Sequence, residues 1–139
     1  MEQDLLKLCQ DGIKQDEGFS AKPYKCTAGK LTIGYGRNIE DIGVSEDEAQ
    51  YMLNNDISYC YNKLKAVFPF FETLSKPRQY VLINMCYNVG ITRLAGFKRM
   101  LAELSQGNYN QAAAEMLNSK WAAQVPNRAA RLAEIMKKG

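Results

Sequence analysis

The sequence EGFSAKPYKCTAGKLTIGYG occupies residues 17–36 and is the segment around which the rest of the chain is organised. It supplies three reactive groups: the carboxylate of Glu17, the thiol of Cys26 and the hydroxyl of Thr32. The preceding helix is predicted to end beside Glu17, where a negative charge opposes the helix dipole and a basic residue would be more favourable. An acid retained there, next to a glycine-rich hairpin, suggests a catalytic carboxylate. A solvated surface glutamate is the alternative that the local pattern leaves open.

A hairpin is predicted inside this segment. Strand-like runs over residues 24–25 and 31–35 flank a turn at residues 28–29. Cys26 then ends the first strand and Thr32 lies on the second, so the two side chains are expected to meet on one rim. Such a sheet is too small to fold alone and depends on the helices of the remaining chain.

The remaining chain is predicted to be mostly helical. Ser45 and Glu48 form a capping box, in which each side chain satisfies a backbone N–H of the other residue at a helix start. Asn84 lies in a helix that is apolar on nearly all faces, so its amide must find hydrogen-bond partners. The predicted helices cover residues 2–16, 46–67, 75–89, 96–106 and 108–119, and the segment that begins at Pro126.

These patterns predict an α+β fold that is mostly α, in one domain of 139 residues, a length sufficient for a real core. A small sheet lobe is expected over about residues 17–45. A helical lobe is expected over about residues 68–139, together with the N-terminal helix over residues 2–16. The helix over about residues 46–67 rises ~1.5 Å per residue, so it is long enough to join the two lobes and form the back of a cleft.

The composition excludes several classes of chemistry. The chain has no histidine, which rules out histidine triads and histidine-ligated zinc and leaves carboxylates as the obvious acid–base groups. The four cysteines are widely spaced, without a C-x-x-C pair, so no zinc or redox motif is indicated and all four are expected to be reduced. Cys9, Cys60 and Cys86 are predicted to be small core residues.

Charge and hydropathy limit the partners. The net charge of +3 would assist approach to an anionic surface such as a cell wall, but it is too small to indicate nucleic acid. The acidic N-terminus is not followed by a long apolar run, so neither a signal peptide nor a stable membrane anchor is predicted.

The segment over residues 17–36 resembles the phage-type lysozymes, the endolysins of glycoside hydrolase family 24. That family carries a glutamate, then an aspartate or cysteine after eight residues, then a threonine after five more, and Glu17, Cys26 and Thr32 follow this spacing. Further similar segments are TIGYG at 32–36, LINM at 82–85, AGF at 95–97, and Trp121 followed by PNR at 126–128. They occur in the family's order and cover nearly the whole chain.

The resemblance implies a lysozyme-like fold with the active-site cleft between the lobes, and Glu17 as the general acid. A glutamic acid kept protonated by partial burial can deliver the proton that glycosidic cleavage needs. Cys26 stands where most relatives carry aspartate, and it can position water, act as a minor thiolate base or attack carbon directly. A thiol near its ordinary pKa is only a few per cent thiolate at pH 7, and a nearby Glu17 anion would suppress ionisation further. The remaining alternative is a cysteine that only fills space.

Other residues take supporting roles in this resemblance. Thr32 would hold the attacking water, although a β-branched strand residue also suits its position. Arg128 matches an arginine that pairs with the catalytic glutamate, and Tyr87 and Asn88 match substrate-cleft positions. Gly36 is expected at the substrate, because a strand glycine lets a ligand or another segment approach closely.

The implied substrate is peptidoglycan, cleaved at the β-1,4 bond between N-acetylmuramic acid and N-acetylglucosamine. No metal ion or organic cofactor is implied. The resemblance also implies a monomer of phage or prophage origin, which accumulates in the host cytoplasm until a separate pore-former, a holin, admits it to the wall. Two rivals stay open: a lytic transglycosylase, in which the muramyl 6-hydroxyl replaces water, and an inactive wall-binding module that has lost the usual aspartate.

Overall fold

The chain folds into nine α-helices and one small antiparallel sheet, so the predicted α+β, mostly α class is confirmed. The structure is a computed structural model that describes residues 1–139. The strands are β1 Ser20–Lys25, β2 Leu31–Gly34 and β3 Arg37–Asn38. The helices are α1 Gln3–Glu17, α2 Ile39–Ile42, α3 Glu46–Val67, α4 Lys76–Val89, α5 Ile91–Ala95, α6 Lys98–Ser105, α7 Tyr109–Leu117, α8 Lys120–Gln124 and α9 Pro126–Lys138, with a 3₁₀ turn at Phe71–Thr73.

Helix α1 ends at Glu17, as the sequence predicts to within one residue. Gly18 adopts φ 68°, and its N–H donates to the carbonyl of Lys14 at 2.9 Å. A positive φ is inexpensive only for glycine, so the helix ends here and the chain turns into β1.

The hairpin forms between β1 and β2 as predicted. Tyr24 pairs with Thr32 across it. The turn is closed by hydrogen bonds from Cys26 N to Lys30 O at 3.0 Å and from Gly29 N to Cys26 O at 2.8 Å. Strand β3, which the sequence did not predict, pairs with β2 through Thr32 opposite Asn38.

Helix α3 begins with the predicted capping box. Glu48 N donates to Ser45 Oγ at 3.1 Å, and Ser45 N donates to Glu48 Oε1 at 2.8 Å. The helix spans Glu46–Val67, the bounds that the sequence predicts. Its apolar stripe is buried only at Cys60 and Leu64.

Two compact units divide the chain, Met1–Tyr51 and Met52–Gly139. The second unit holds the hydrophobic core, whose largest fully buried side chains include Trp121, Phe71 and Leu82. In the first unit the only buried residue is Thr32. The division into sheet lobe, connecting helix and helical lobe stays a prediction.

The predicted burial of Cys9 is wrong. Helix α1 has no buried residue, and its apolar stripe of Leu5, Leu6, Cys9 and Ile13 is exposed. Strand β1 of the same unit is almost wholly exposed, and the only buried residue of the unit is Thr32, so the unit supplies no core against which this stripe could pack. Cys60 and Cys86 are buried as predicted, and all four cysteines are free thiols.

The helical unit differs from prediction mainly in its short helices. Helix α4 begins after Ser75, whose hydroxyl accepts from Arg78 N, and ends at Gly90, as expected. The helix predicted over residues 96–106 begins only at Lys98, because the short helix α5 precedes it and Gly96 is the C-cap of α5. None of the helices combines the length and the apolar character that crossing a bilayer requires.

Candidate active site

Glu17, the last residue of α1, lies directly against the backbone of Gly36. A Cβ built on Gly36 would come within 2.5 Å of both Cδ and Oε2 of Glu17. Gly36 has φ 74°, which favours glycine independently. The Glu17 side chain is exposed, which corrects the expectation of partial burial. No hydrogen bond or ion pair engages its carboxylate, so packing against Gly36 is its defining contact.

Tyr35 ties the loop after β2 to the end of α1. Its ring lies 5.0 Å from Lys14 Nζ and 5.5 Å, centroid to centroid, from the ring of Phe19. Cation–π contacts at exposed sites contribute ~0.5–1 kcal/mol, and tilted aromatic pairs contribute a comparable amount. These two contacts fix the loop on both sides of Glu17, where α1 meets β1.

Cys26 and Thr32 are brought together by the hairpin, as expected. Cys26 directly follows β1 at the start of the hairpin turn, and the Thr32 hydroxyl is close enough to the Cys26 thiol to hydrogen-bond with it. Thr32 is only 3% exposed, and its hydroxyl donates to Lys30 O at 2.9 Å. Cys26 and Thr32 thus form a half-buried polar cluster at the end of the sheet.

The pKa of the Cys26 thiol is lowered from its ordinary value. The largest cause is the backbone N–H of Lys30, followed by the backbone N–H of Ala28 and the hydroxyl of Thr32, all of which favour the thiolate. This corrects the expectation that the thiol stays near or above its ordinary pKa. The Thr32 hydroxyl carries one proton, which it donates to the Lys30 carbonyl in this structure and could instead donate to the Cys26 thiolate.

Arg37 and Glu48 form an ion pair that the sequence did not predict. Arg37 Nη1 donates to Glu48 Oε1 at 2.7 Å and to Gly43 O at 3.1 Å, and Nη2 pairs with Glu48 Oε2. This bidentate contact lowers the pKa of Glu48 to about 2, with a second contribution from the N–H of Ser45. It anchors the residue after Gly36 to the first turn of α3.

Arg128 lies in the second unit, where Asn84 holds its guanidinium. Arg128 Nε donates to Asn84 Oδ1 at 2.8 Å, and the Asn84 amide donates to Tyr80 Oη at 3.1 Å. The amide of Asn84 therefore has the partners that its place in α4 demands. Arg128 and Tyr87 line a groove of about 410 Å³, together with Leu53, Ile57, Tyr61, Lys76, Gln79, Tyr80, Ile83 and Asn84.

Asn88 contacts Trp121, which lines a second groove of the helical unit. Its side-chain carbonyl accepts from Trp121 Nε1 at 2.8 Å, and Trp121 lines a groove of about 450 Å³. Four basic residues border this groove, Arg93, Lys98, Arg99 and Lys120. Sequence reasoning missed them, although the pairs Lys98–Arg99 and Lys120–Trp121 were available as a signal. No set of three or more Cys, Asp or Glu side chains is grouped so as to hold a metal ion.

Comparison with known proteins gives the class to which this fold and these residues belong. A model of the phage lysozyme family matches residues 14–134, which covers both units, so the chain belongs to the phage lysozyme family. It is therefore a glycoside hydrolase, a muramidase that degrades peptidoglycan.

Individual relatives are similar over most of the chain. A probable T4-type lysozyme of Dictyostelium discoideum is 26% identical over 164 aligned residues, covering 97% of this chain and 96% of the relative. An endolysin of Acyrthosiphon pisum secondary endosymbiont phage 1 is 30% identical over 113 residues, covering 78% of this chain and 73% of the relative. The pre-baseplate central spike protein Gp5 of Enterobacteria phage T4 is 25% identical over 155 residues, which span 91% of this chain and 27% of that protein.

Proposed function

We propose that this muramidase hydrolyses the β-1,4 bond between N-acetylmuramic acid and N-acetylglucosamine, with Glu17 as the general acid. The observation that carries the proposal is the placement of Glu17. Glu17 is the last residue of α1, its side chain is exposed, and its carboxylate packs against Gly36 at the end of the TIGYG run that begins in β2. In this role the carboxyl proton passes to the glycosidic oxygen as the bond to the anomeric carbon breaks.

Cys26 and Thr32 position and activate the attacking water in this proposal. The Thr32 hydroxyl and the backbone N–H groups of Lys30 and Ala28 lower the pKa of the Cys26 thiol, so more thiolate is available as a base than for an isolated cysteine. The thiolate takes one proton from water while the hydroxide adds to the anomeric carbon. Water attack inverts the anomeric configuration, whereas direct attack by the thiolate would form a covalent sugar–enzyme intermediate and retain it.

Arg128 supports Glu17 in this proposal, and Asn84 orients Arg128. A guanidinium whose Nε is already bonded to an amide presents its remaining donors in a fixed direction, suited to a carboxylate. Tyr87, in the same groove, and Asn88, beside Trp121, are the proposed sugar contacts.

The biological role that follows is lysis of the bacterial host and release of phage. One relative of this chain is an endolysin. The wall substrate lies outside the compartment where phage proteins are made. We propose that the protein accumulates in the host cytoplasm as a monomer and reaches the wall through the pore of a separate holin.

A turbidity assay on permeabilised Gram-negative cells tests the proposal, with Glu17→Gln as the matched control. Wild type should clear the suspension and the variant should not. Mass spectrometry of the released muropeptides should show ordinary reducing ends. Anhydromuramyl ends would instead identify a transglycosylase, and wall binding without clearing would identify a binding module.

A further inference from the structure

We propose that Gly36 is a positioning residue for Glu17: the absence of a side chain at position 36 fixes the orientation of the catalytic carboxylate. This role rests on the proposed function of Glu17 as the acid. It differs from a substrate contact, because the partner of Gly36 is a side chain of the enzyme itself.

The contact is steric and specific to one residue. The three nearest heavy atoms to a Cβ at position 36 are Cδ, Oε2 and Cγ of Glu17, at 2.5, 2.5 and 2.8 Å. Carbon atoms in favourable contact stand roughly 3.5–4.0 Å apart, so a methyl group and this rotamer of Glu17 cannot coexist. The Glu17 carboxyl group occupies the space that a Cβ at position 36 would fill, so the bare Cα of Gly36 is what permits this orientation of the carboxylate.

The loop cannot readily move away instead, because both neighbours of Gly36 are fixed. Tyr35 lies between Lys14 and Phe19. Arg37 is paired with Glu48 and lies in β3 opposite Ile33. A side chain at position 36 would therefore displace the flexible end of Glu17 before it displaced the backbone.

Gly34 provides a matched control two residues away. It has φ 68°, close to the 74° of Gly36, so alanine at either position meets the same backbone strain. A Cβ on Gly34 would meet no heavy atom within 4 Å. Any difference between Gly34→Ala and Gly36→Ala thus isolates the contact with Glu17.

The experiment compares the two alanine variants by lysis kinetics and by ¹³C NMR of the Glu17 carboxyl carbon. Displacing a catalytic group by about 1 Å can cost ~10²-fold in rate. We expect Gly36→Ala to lower kcat by roughly that factor with little change in KM, and to shift the Glu17 carboxyl resonance. Gly34→Ala should leave the resonance in place and keep kcat within a few-fold of wild type.

Equal kcat values for the two variants, or an unmoved Glu17 resonance in Gly36→Ala, would overturn the inference. If Gly36→Ala does not fold, Gly36→Ala combined with Glu17→Ala decides the matter. Folding of the double variant supports the steric contact, whereas failure of both overturns it. The proposed function fails separately, when Glu17→Gln lyses cells as well as wild type, and the NMR comparison is unaffected by that result.

Discussion

Substitutions at Asn84 should distinguish two effects. One is the orientation of Arg128, and the other is the stability of the helices that carry the two residues. The hydrogen bond of Asn84 with the charged Nε of Arg128 is 2.8 Å long. Hydrogen bonds to charged groups contribute ~1.5–3 kcal/mol net, and the partial exposure of both residues favours the lower end. The bond from Asn84 to Tyr80 is exposed and contributes ~0.5 kcal/mol. A contact of 3.4 Å between Arg128 Nη2 and the Asn84 carbonyl is long and weak.

Replacing Asn84 with alanine removes both side-chain bonds, a loss of about 2 kcal/mol. Alanine returns about 0.5 kcal/mol through its higher helix propensity. With an unfolding entropy of ~2.1 cal/mol/K per residue over 139 residues, the net loss of about 1.5 kcal/mol should lower the unfolding temperature by about 5 °C. Lytic activity, measured well below that temperature, should fall about tenfold because Arg128 is no longer held in one orientation.

Asn84→Asp is the matched control. A carboxylate still accepts from Arg128 Nε, so the unfolding temperature should stay near that of wild type. If Arg128 supports Glu17 as proposed, activity should nevertheless fall at least as far as in Asn84→Ala, because a carboxylate at position 84 would compete with Glu17 for the guanidinium. Circular dichroism melts and turbidity assays on the two variants measure both quantities. Full activity in Asn84→Asp, or an unchanged melting temperature in Asn84→Ala, would refute this reasoning.

Three further predictions concern the first unit. Glu17→Gln should lower the rate by ~10²–10⁴-fold with an unchanged circular dichroism spectrum, and activity above a tenth of wild type would exclude Glu17 as the acid. Cys26→Asp should stay active. Cys26→Ser should be nearly as active as wild type if the thiol positions water, and badly impaired if the thiol attacks carbon. Anomeric NMR of the first product distinguishes the inversion expected for water attack from the retention expected for thiol attack. Full activity in Cys26→Ala would leave that residue only a space-filling role. The pKa of Glu48 falls from 4.5 to about 2 on folding, so its contribution to stability is complete above pH 4.5 and is lost as the pH falls towards 2. Glu48→Gln should flatten the decline in the unfolding midpoint over that range, and a decline as steep as in wild type would contradict the prediction.

Local signals in the sequence predict the parts of the fold that local chemistry determines. Gly18 ends α1, and Ser45 with Glu48 starts α3, because the hydrogen bonds involved close within a few residues. Strand β3 and the four- and five-residue helices α2, α5 and α8 were missed. A helix of four or five residues has fewer than two turns, and a strand of two residues has a single alternation. Neither is long enough for hydrophobic periodicity to detect it.

Side-chain partners across the chain are harder to predict than elements. The sequence identifies Glu48 as a capping residue, but its ion pair with Arg37 depends on the path of the chain between them. Asn84 is recognisable as a polar residue that needs partners, yet nothing local names Arg128, 44 positions further on, as its donor. Cys9 shows the opposite error. The apolar stripe on α1 is clear in the sequence, but no other element covers the stripe, so Cys9 is exposed.

The thiol of Cys26 shows why the chemistry of a site can run opposite to a sequence-level argument. An argument from the acid of the same segment, Glu17, predicts that ionisation of the thiol is disfavoured. The groups that favour ionisation are the backbone N–H groups of Lys30 and Ala28, which every residue except proline possesses and which no composition reveals. They converge on the sulfur only because the turn closed by Gly29 curls the chain around it. Thus the hairpin geometry, as much as the identity of residue 26, determines how readily this thiol ionises.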